Sequence, residues 1–381
     1  MGERPVMEAV TVNVLYVYGD ILHYGGIESF MMNYFRYIDK TKIHIDFVLQ
    51  GKGPGVYDDE IRAAGSEIYY LPKPGHELLR YIRELCRIYK TGRYKIVHAH
   101  CDAMNHRVLK LAKRCGVPIR ISHAHNTDHV LPKEIGLKHF FYDYSRNRGS
   151  DYATARWACS REAGIWMYGK SDFSVIPNAI ELNRFLFDKD RRNELRKKYR
   201  ISEDVIVLGH VGRFDIQKNQ GFLVDLLQKL METGRKYKLL FLGTGWMKQE
   251  VEDKVRKYHL EENVLFAGEV SNPQDYYHMM DIYVMPSLFE GYGIALEEAE
   301  VNGLPCLASD KIPREVDVLG QIAYLPLDID IWRKRIERQS AERNFAVYEE
   351  LKRQGYDIVD AARKVQDEYV RMYNGAVSGN G

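Results

Sequence analysis

Short apolar runs alternate with longer segments of helical period along most of this chain, and the alternation restarts near its middle. Residues 12–17 read as a buried strand, after which Ile27, Phe30, Met31, Tyr34 and Ile38 mark one face of a helix. Strand-like runs follow at 45–49, 67–71, 96–99 and 119–123, with helical segments at 58–64, 77–90 and 105–115 between them. A second series opens with a strand at 205–210. Further strands fall at 237–242, 264–267, 282–285 and 306–308, and helices at 220–232, 247–258 and 294–302. Strand–helix alternation of this kind predicts an α/β fold with parallel sheets covered by helices on both faces.

Two such series make two doubly wound units, which a length of 381 residues accommodates, since single cores rarely grow beyond about 250–300 residues. The expected organisation is a first unit over 1–176 and a second over 177–355. A helix over 356–374 and a disordered tail over 375–381 follow. Pro177-Asn178 is a turn signal at the boundary, and the charge-dense stretch 188–200 reads as a solvated surface helix.

Composition excludes several classes. Hydrophobic residues at 45% and charged residues at 28% are globular values, and a net charge of +2 gives no general polyanion binder. Five cysteines without a Cys-x-x-Cys pair argue against a disulfide framework and a structural zinc site, and favour a reducing, cytoplasmic setting. No run approaches the roughly 18 apolar residues of a membrane span. The opening residues carry no signal-peptide pattern, and Val6 stands where a myristoylation site needs Ser or Thr.

Three Gly-punctuated segments carry the chemistry. In the first, Pro286-Ser287-Leu288-Phe289-Glu290-Gly291-Tyr292-Gly293 joins a strand to a helix that bears Glu298. Ligands of parallel sheets sit at the carboxyl ends of strands, where helix N-termini present free N–H groups. Gly291 and Gly293 allow close backbone approach to a phosphate, while Glu290 and Glu298 suit neutral hydroxyls. In the second, Gly212-Arg213 and Lys218 put two cations on the loop after the first strand of the second unit, suited to a leaving group that gains negative charge. In the third, Gly25-Gly26-Ile27-Glu28 makes a tight turn into a helix after the first strand.

These segments resemble the family 4 retaining glycosyltransferases, whose Glu-x7-Glu signature Glu290 and Glu298 match. Gly212-Arg213 through Lys218 is similar to that family's Gly-Arg-x4-Lys-Gly loop, with Asn219 in place of the final Gly. Asn302-Gly303-Leu304-Pro305 also fits, and 158–160, 166–169 and 175–180 resemble the bacterial exopolysaccharide and capsule subgroup. The resemblance covers nearly the whole chain and is weakest over 132–151 and after Leu319.

It implies a GT-B architecture, two Rossmann-like domains facing an interdomain cleft. The implied activity is retaining, metal-independent transfer of a hexosyl or N-acetylhexosaminyl group from a nucleotide diphosphate sugar, UDP-linked by preference. Glu290 would contact the transferred sugar and Glu298 the ribose. Arg213 and Lys218 would hold the diphosphate together with Gly212 and the backbone of Gly291, Tyr292 and Gly293, and the Gly25-Gly26 loop would close over it. No cofactor and no metal are implied. The acceptor would be a glycan or a lipid-linked oligosaccharide, and the final helix would cross back to brace the first domain.

His98-Ala99-His100 and His123-Ala124-His125 each place two imidazoles on one face of an extended chain. His125 matches the family histidine that lies near the acceptor and the anomeric carbon; His100 either lines the acceptor cleft or satisfies backbone groups. Asp328-Ile329-Asp330 resembles a metal motif of the other major glycosyltransferase fold and reads here as loop. The helix at 77–90 carries Arg80, Arg83, Arg87 and Lys90 opposite Leu78, Leu79, Ile82, Leu85 and Ile88. That is either an ordinary amphipathic helix or a peripheral contact with anionic membrane at the inner face of the cell membrane. Two other functions compete, a nucleotide-sugar epimerase of the same fold and a non-catalytic nucleotide-sugar-binding protein. Nucleic acid is not an expected partner.

Overall fold

The computed structural model describes residues 11–127, 144–146, 148 and 150–378. The opening residues, including Val6, and most of the segment 132–151 lie outside these.

The first unit is a parallel sheet of seven strands: β1 Val12–Tyr18, β2 Ile43–Gln50, β3 Ile68–Leu71, β4 Ile96–His100, β5 Ile119–Ala124, β6 Ala155–Ala158 and β7 Ser174–Val175. Their order is β3-β2-β1-β4-β5-β6-β7. Helices α1 Gly26–Tyr37, α2 Asp58–Ala63, α3 Leu78–Lys90, α4 Asn105–Arg114 and α5 Arg161–Tyr168 connect or follow them. After helix α6 Lys189–Lys198 comes a second parallel sheet of β8 Ile206–Val211, β9 Tyr237–Leu242, β10 Val264–Gly268, β11 Ile282–Met285, β12 Cys306–Ser309 and β13 Ala323–Leu325. Its order is β10-β9-β8-β11-β12-β13. The accompanying helices are α7 Gln220–Met231, α8 Lys248–Lys257, α9 Pro273–Met279, α10 Ile294–Val301, α11 Ile329–Arg338, α12 Ala346–Gln354 and α13 Ile358–Ser378.

This topology fixes where a ligand can bind. Winding reverses between β1 and β4 in the first sheet and between β8 and β11 in the second, and crevices open at the carboxyl ends of such strands. The loops after β1, β4, β8 and β11 are therefore the site-building loops. Both β1 and β4 are buried almost throughout, consistent with strands covered on both faces.

Helix α13 belongs to the first unit in packing although it is last in sequence. Its Ile358, Ala361, Ala362, Val365 and Tyr369 are buried in the same apolar cluster as Tyr16, Phe30 and Ile121. Ile180 bridges Asp357 where the chain leaves and re-enters that unit. No helix among the described residues is long and apolar enough to cross a membrane.

Three local expectations need correction. The tail does not begin at Gly375, because α13 continues through Ser378. Asp328 is not in a loop: its carboxylate caps α11 by accepting from the Ile331 N–H, and Asp330 lies in the first turn of that helix. The charged helix α6 is not wholly solvated. Arg196 is buried and pairs with Asp281 at 3.1 Å, while also donating to the carbonyls of Ser202 and Val205. Arg192 reaches the other oxygen of Asp281 at 2.6 Å. Charge density hid an ionic seam that fixes α6 against the second sheet. Removing one partner of a buried ion pair leaves the other uncompensated. Arg196→Ala is therefore expected to cost about 3 kcal/mol, read as an earlier urea transition; an unchanged midpoint would remove the seam from the account.

Candidate active site

A cleft of about 1750 Å³ runs between the two units, bounded by the loops after β1, β4, β8 and β11 and by the loop after β5. From the first unit Gly25, Gly26 and His125 line it. From the second come Gly212, Arg213 and Lys218, and Glu290, Gly291, Tyr292, Gly293 and Glu298 complete the wall. Every residue singled out for donor binding or catalysis thus reaches one cavity.

The wall that the second unit supplies is internally paired. Lys218 Nζ donates to Glu290 Oε1 at 2.6 Å, and Gln217 Nε2 donates to Glu290 Oε2 at 3.2 Å. Arg213 Nε lies 3.3 Å from Asp215 Oδ2. Asn219 adopts φ 52°, the left-handed conformation that a short amide side chain tolerates, and its Nδ2 donates to the Pro286 carbonyl at 3.2 Å. This ties the cation loop to the glutamate loop. Gly243 and Gly245 support it from behind, since a Cβ at either would fall 2.3 Å from the carbonyl of Gly212 or Phe214. Gly293, at φ 102°, opens α10. Glu298, one turn into α10, accepts from the Tyr277 hydroxyl at 2.6 Å.

Gly291 has a role that the sequence does not reveal. A Cβ there would stand 1.6 Å from the His125 carbonyl oxygen, so the two units touch backbone to backbone at this residue. Ser160 Oγ donates to the Gly291 carbonyl at 2.7 Å, and Thr127 Oγ1 donates to the Glu290 carbonyl. Gly25 likewise makes room for a side chain: a Cβ would lie 2.4 Å from Glu28 Oε2, the carboxylate that folds back over the start of α1. At Gly26 a Cβ would meet open space.

Three further cleft residues were given no role by the sequence. Glu28 is buried, bonds the Tyr18 hydroxyl and faces Arg213; burial pushes its carboxyl up from the ordinary range. Asp102, buried at φ 44°, accepts from the His125 N–H at 2.7 Å and from Asn126 Nδ2 at 2.5 Å, which fixes the His125 loop. Arg184 lines the opposite wall near Glu298. An acid at the fourth position of Gly-Gly-x-x and an acid two residues after a strand were the available signals.

The four histidines form one buried stack. His98 bonds Tyr369 through Nδ1 at 2.7 Å and His123 through Nε2 at 3.0 Å, while His100 Nδ1 bonds His125 Nε2 at 2.9 Å. Ring nitrogens of His98, His100 and His123 lie within 4.8 Å of one another, a spacing that an ion could use. Both nitrogens of His98 are engaged in hydrogen bonds, whereas His100 Nε2 and His123 Nε2 are buried with no hydrogen-bond partner among the described residues. Burial pushes all three rings well below their ordinary pKa, which keeps them neutral. Burial also pushes His125 down, to about 3.

A family model described as "Glycosyl transferases group 1" matches residues 191–321, and one described as "Glycosyl transferase 4-like domain" matches residues 25–167. The chain belongs to the group 1 glycosyltransferases, in the subgroup of bacterial polysaccharide biosynthesis. It is 33% identical over 347 residues to EpsF of Bacillus subtilis (strain 168), whose description is that of a glycosyltransferase; the match covers 87% of this chain and 90% of the relative. The UDP-Gal:alpha-D-GlcNAc-diphosphoundecaprenol alpha-1,3-galactosyltransferase of Escherichia coli is 22% identical over 374 residues, 91% of this chain and 94% of that one. Among solved structures, Anabaena Alr3699/HepE in complex with UDP and glucose superposes with a TM-score of 0.74 at 17% identity, covering 93% of this chain and 98% of that chain. The GT-B fold follows.

Two outcomes test this geometry. Gly291→Ala is expected to lower glycosyl transfer at least about 100-fold while leaving the fold intact, because misplacement of the loop by an ångström is enough; near-normal turnover would exclude the contact. The second concerns pH. Burial raises the Glu298 carboxyl to about 7, with the Tyr277 hydroxyl acting in the opposite sense. An acid whose folded pKa is raised stabilises the fold below its unfolded value, and that contribution is lost as pH climbs through the folded one. Thermal stability of the ligand-free protein should therefore fall between about pH 4.5 and 7. Glu298→Gln should flatten part of the slope, and identical profiles would contradict the shift.

Proposed function

We propose that the chain is a retaining, metal-independent glycosyltransferase, moving a hexosyl or N-acetylhexosaminyl group from a UDP-sugar to a hydroxyl of a glycan or lipid-linked acceptor. The observation that carries this reading is the convergence of Arg213, Lys218, Glu290 and Glu298 on one wall of the cleft, opposite His125. The segment 177–355 acts as the donor domain and 1–176 as the acceptor domain. HepE, a neighbour of the same fold, is described in complex with UDP and glucose, which supports the choice of nucleotide. The Escherichia coli relative's name, with its diphosphoundecaprenol acceptor, supports a lipid-linked acceptor and peripheral work at a membrane.

In this mechanism the diphosphate takes the place of carboxylates as partner of Arg213 and Lys218, which stabilise the charge that grows as the glycosidic bond breaks. Two fixed cations supply what a divalent ion would otherwise supply. Glu290, released from Lys218, accepts from hydroxyls of the transferred sugar, and Glu298 from the ribose. The acceptor hydroxyl attacks from the face that the diphosphate leaves and delivers its proton to the leaving phosphate, so the anomeric configuration is retained. His125 orients that hydroxyl.

Calorimetric titration of UDP, with EDTA or with magnesium, tests the donor site. Binding is expected in both, and at least about tenfold weaker in Glu298→Ala, as for loss of a hydrogen bond to a charged group. No nucleotide binding at all would sink the proposal. The product's anomeric configuration by NMR then separates retention from inversion, and interconversion of UDP-sugars without acceptor would identify an epimerase instead.

A further inference from the structure

Of the four stacked histidines the proposed mechanism uses only His125, and of the other three only His100 reaches the cleft. His98, His100 and His123 are each no more than 1% exposed, and one ring nitrogen from each lies within 4.8 Å of the others. Hydrogen bonds do not account for all of these nitrogens. His100 Nε2 and His123 Nε2 have no partner among the described residues, and a buried polar atom left without one is costly. The bonds that are made fix the rings from outside. His98 Nδ1 meets the Tyr369 hydroxyl, which in turn meets the Tyr16 hydroxyl at 3.1 Å, and His100 Nδ1 meets His125 Nε2. T-shaped contacts from Tyr16, Phe30 and Trp157 enclose the rings.

A ligating imidazole holds its ion by one nitrogen while the other bonds a fixed partner, which sets the ring's orientation and tautomer. His98 and His100 have such partners at Nδ1, so each offers Nε2. His98 Nε2 now meets His123 Nδ1 at 3.0 Å. An ion can replace that bond, since two nitrogens bound to one tetrahedral zinc stand about 3.3 Å apart. His123 then offers Nδ1, or else its unpartnered Nε2. Neutral nitrogen donors suit zinc and not magnesium or calcium, and a water or hydroxide completes the tetrahedron. The cysteine pattern argued against a zinc site built from cysteine pairs and does not bear on one built from histidines. We infer that His98, His100 and His123 hold a structural zinc ion, which ties together β4, β5 and, through Tyr369, α13. This is independent of the transferase reading: Arg213 and Lys218 lie in the opposite unit, and no step of transfer passes through the ion. It bears on His125 all the same. An ion on His100 Nε2 leaves the His100 proton on Nδ1, from which it is donated to His125 Nε2, so the proton of His125 itself is confined to Nδ1.

The test is made on the full chain without a polyhistidine tag, produced in zinc-supplemented medium and dialysed against EDTA to remove loosely held ions. Elemental analysis is expected to find about one zinc per chain in wild type and at least about tenfold less in His123→Gln, as for loss of one ligand of a buried site. His125→Gln, outside the ligand set, should retain the ion. X-ray absorption at the zinc edge should show three imidazoles at about 2.0–2.1 Å. Wild type refolded with zinc should melt at a higher temperature than wild type refolded with chelator, because an ion that binds only the folded chain stabilises it. His123→Gln should show no such difference. Wild type that is free of zinc both after supplemented growth and after refolding with zinc would overturn the assignment. So would equal zinc in wild type and His123→Gln. An absorption spectrum with fewer than three imidazoles would do the same, and it needs no variant to fold. UDP binding is measured apart, so failure of the donor-site reading is recognised separately.

Discussion

Everything in the cleft depends on one close approach, the backbone of Gly291 against the carbonyl of His125. No side chain can stand between the two units there, so the turn after β11 is built directly onto the end of strand β5 in the first unit. Ser160 and Thr127 lock the contact by donating to the carbonyls of Gly291 and Glu290. Ser160 does this while capping α5, accepting from the Ala163 N–H at 3.0 Å. A helix cap, a strand end and a glycine turn are thereby held in one register. That is how a site divided between two sheets keeps geometry fine enough for displacement at a single carbon.

The same closeness sets the electrostatics. Cations held in a partly buried cleft are costly unless paired, and each cation on this wall has a carboxylate beside it. Lys218 with Glu290 is the tighter pair, both side chains being mostly buried. Glu28 faces Arg213 from the first unit and sits over the N-terminus of α1, where the helix dipole favours an anion. In the proposed reading, the donor's diphosphate would exchange partners with these carboxylates rather than add charge to a bare site.

Most of the architecture was legible because buried parallel strands and amphipathic helices write their periods plainly, and Glu290, Glu298, Arg213 and Lys218 stand at fixed offsets from strand ends. Other features had no such signature. Strand β6, only Ala155–Ala158, is too short to read as a period, and Pro273 at the first turn of α9 looks like a breaker until the helix behind it is seen. Arg196 looked solvated because its partner Asp281 lies 85 residues away. The sequence reads Gly291 as room for a phosphate and Gly25 as a tight turn, and does not show that the His125 carbonyl oxygen and Glu28 Oε2 stand against them. Sequence shows that a glycine is required; only the fold shows what approaches it.

The histidine stack shows how such long-range partners bear on chemistry. A neutral imidazole has one donor nitrogen and one acceptor nitrogen. His125 Nε2 is committed to His100 Nδ1, so the tautomer of His100 dictates which of the two His125 nitrogens carries the proton. His98, His123 and Tyr369 brace the rings from β4, β5 and α13, the last of these joining the first unit only after the chain has traversed the second. With its pKa pushed to about 3, His125 stays neutral through the physiological range. In the proposed mechanism it would address the reacting centre as a fixed dipole and lone pair, not as a cation. That suits a transfer in which positive charge develops on the sugar, since an imidazolium there would oppose it. The histidine-rich strand ends are thus a device for keeping one imidazole neutral and aimed, and α13 closes that device by crossing back to place Tyr369 on His98.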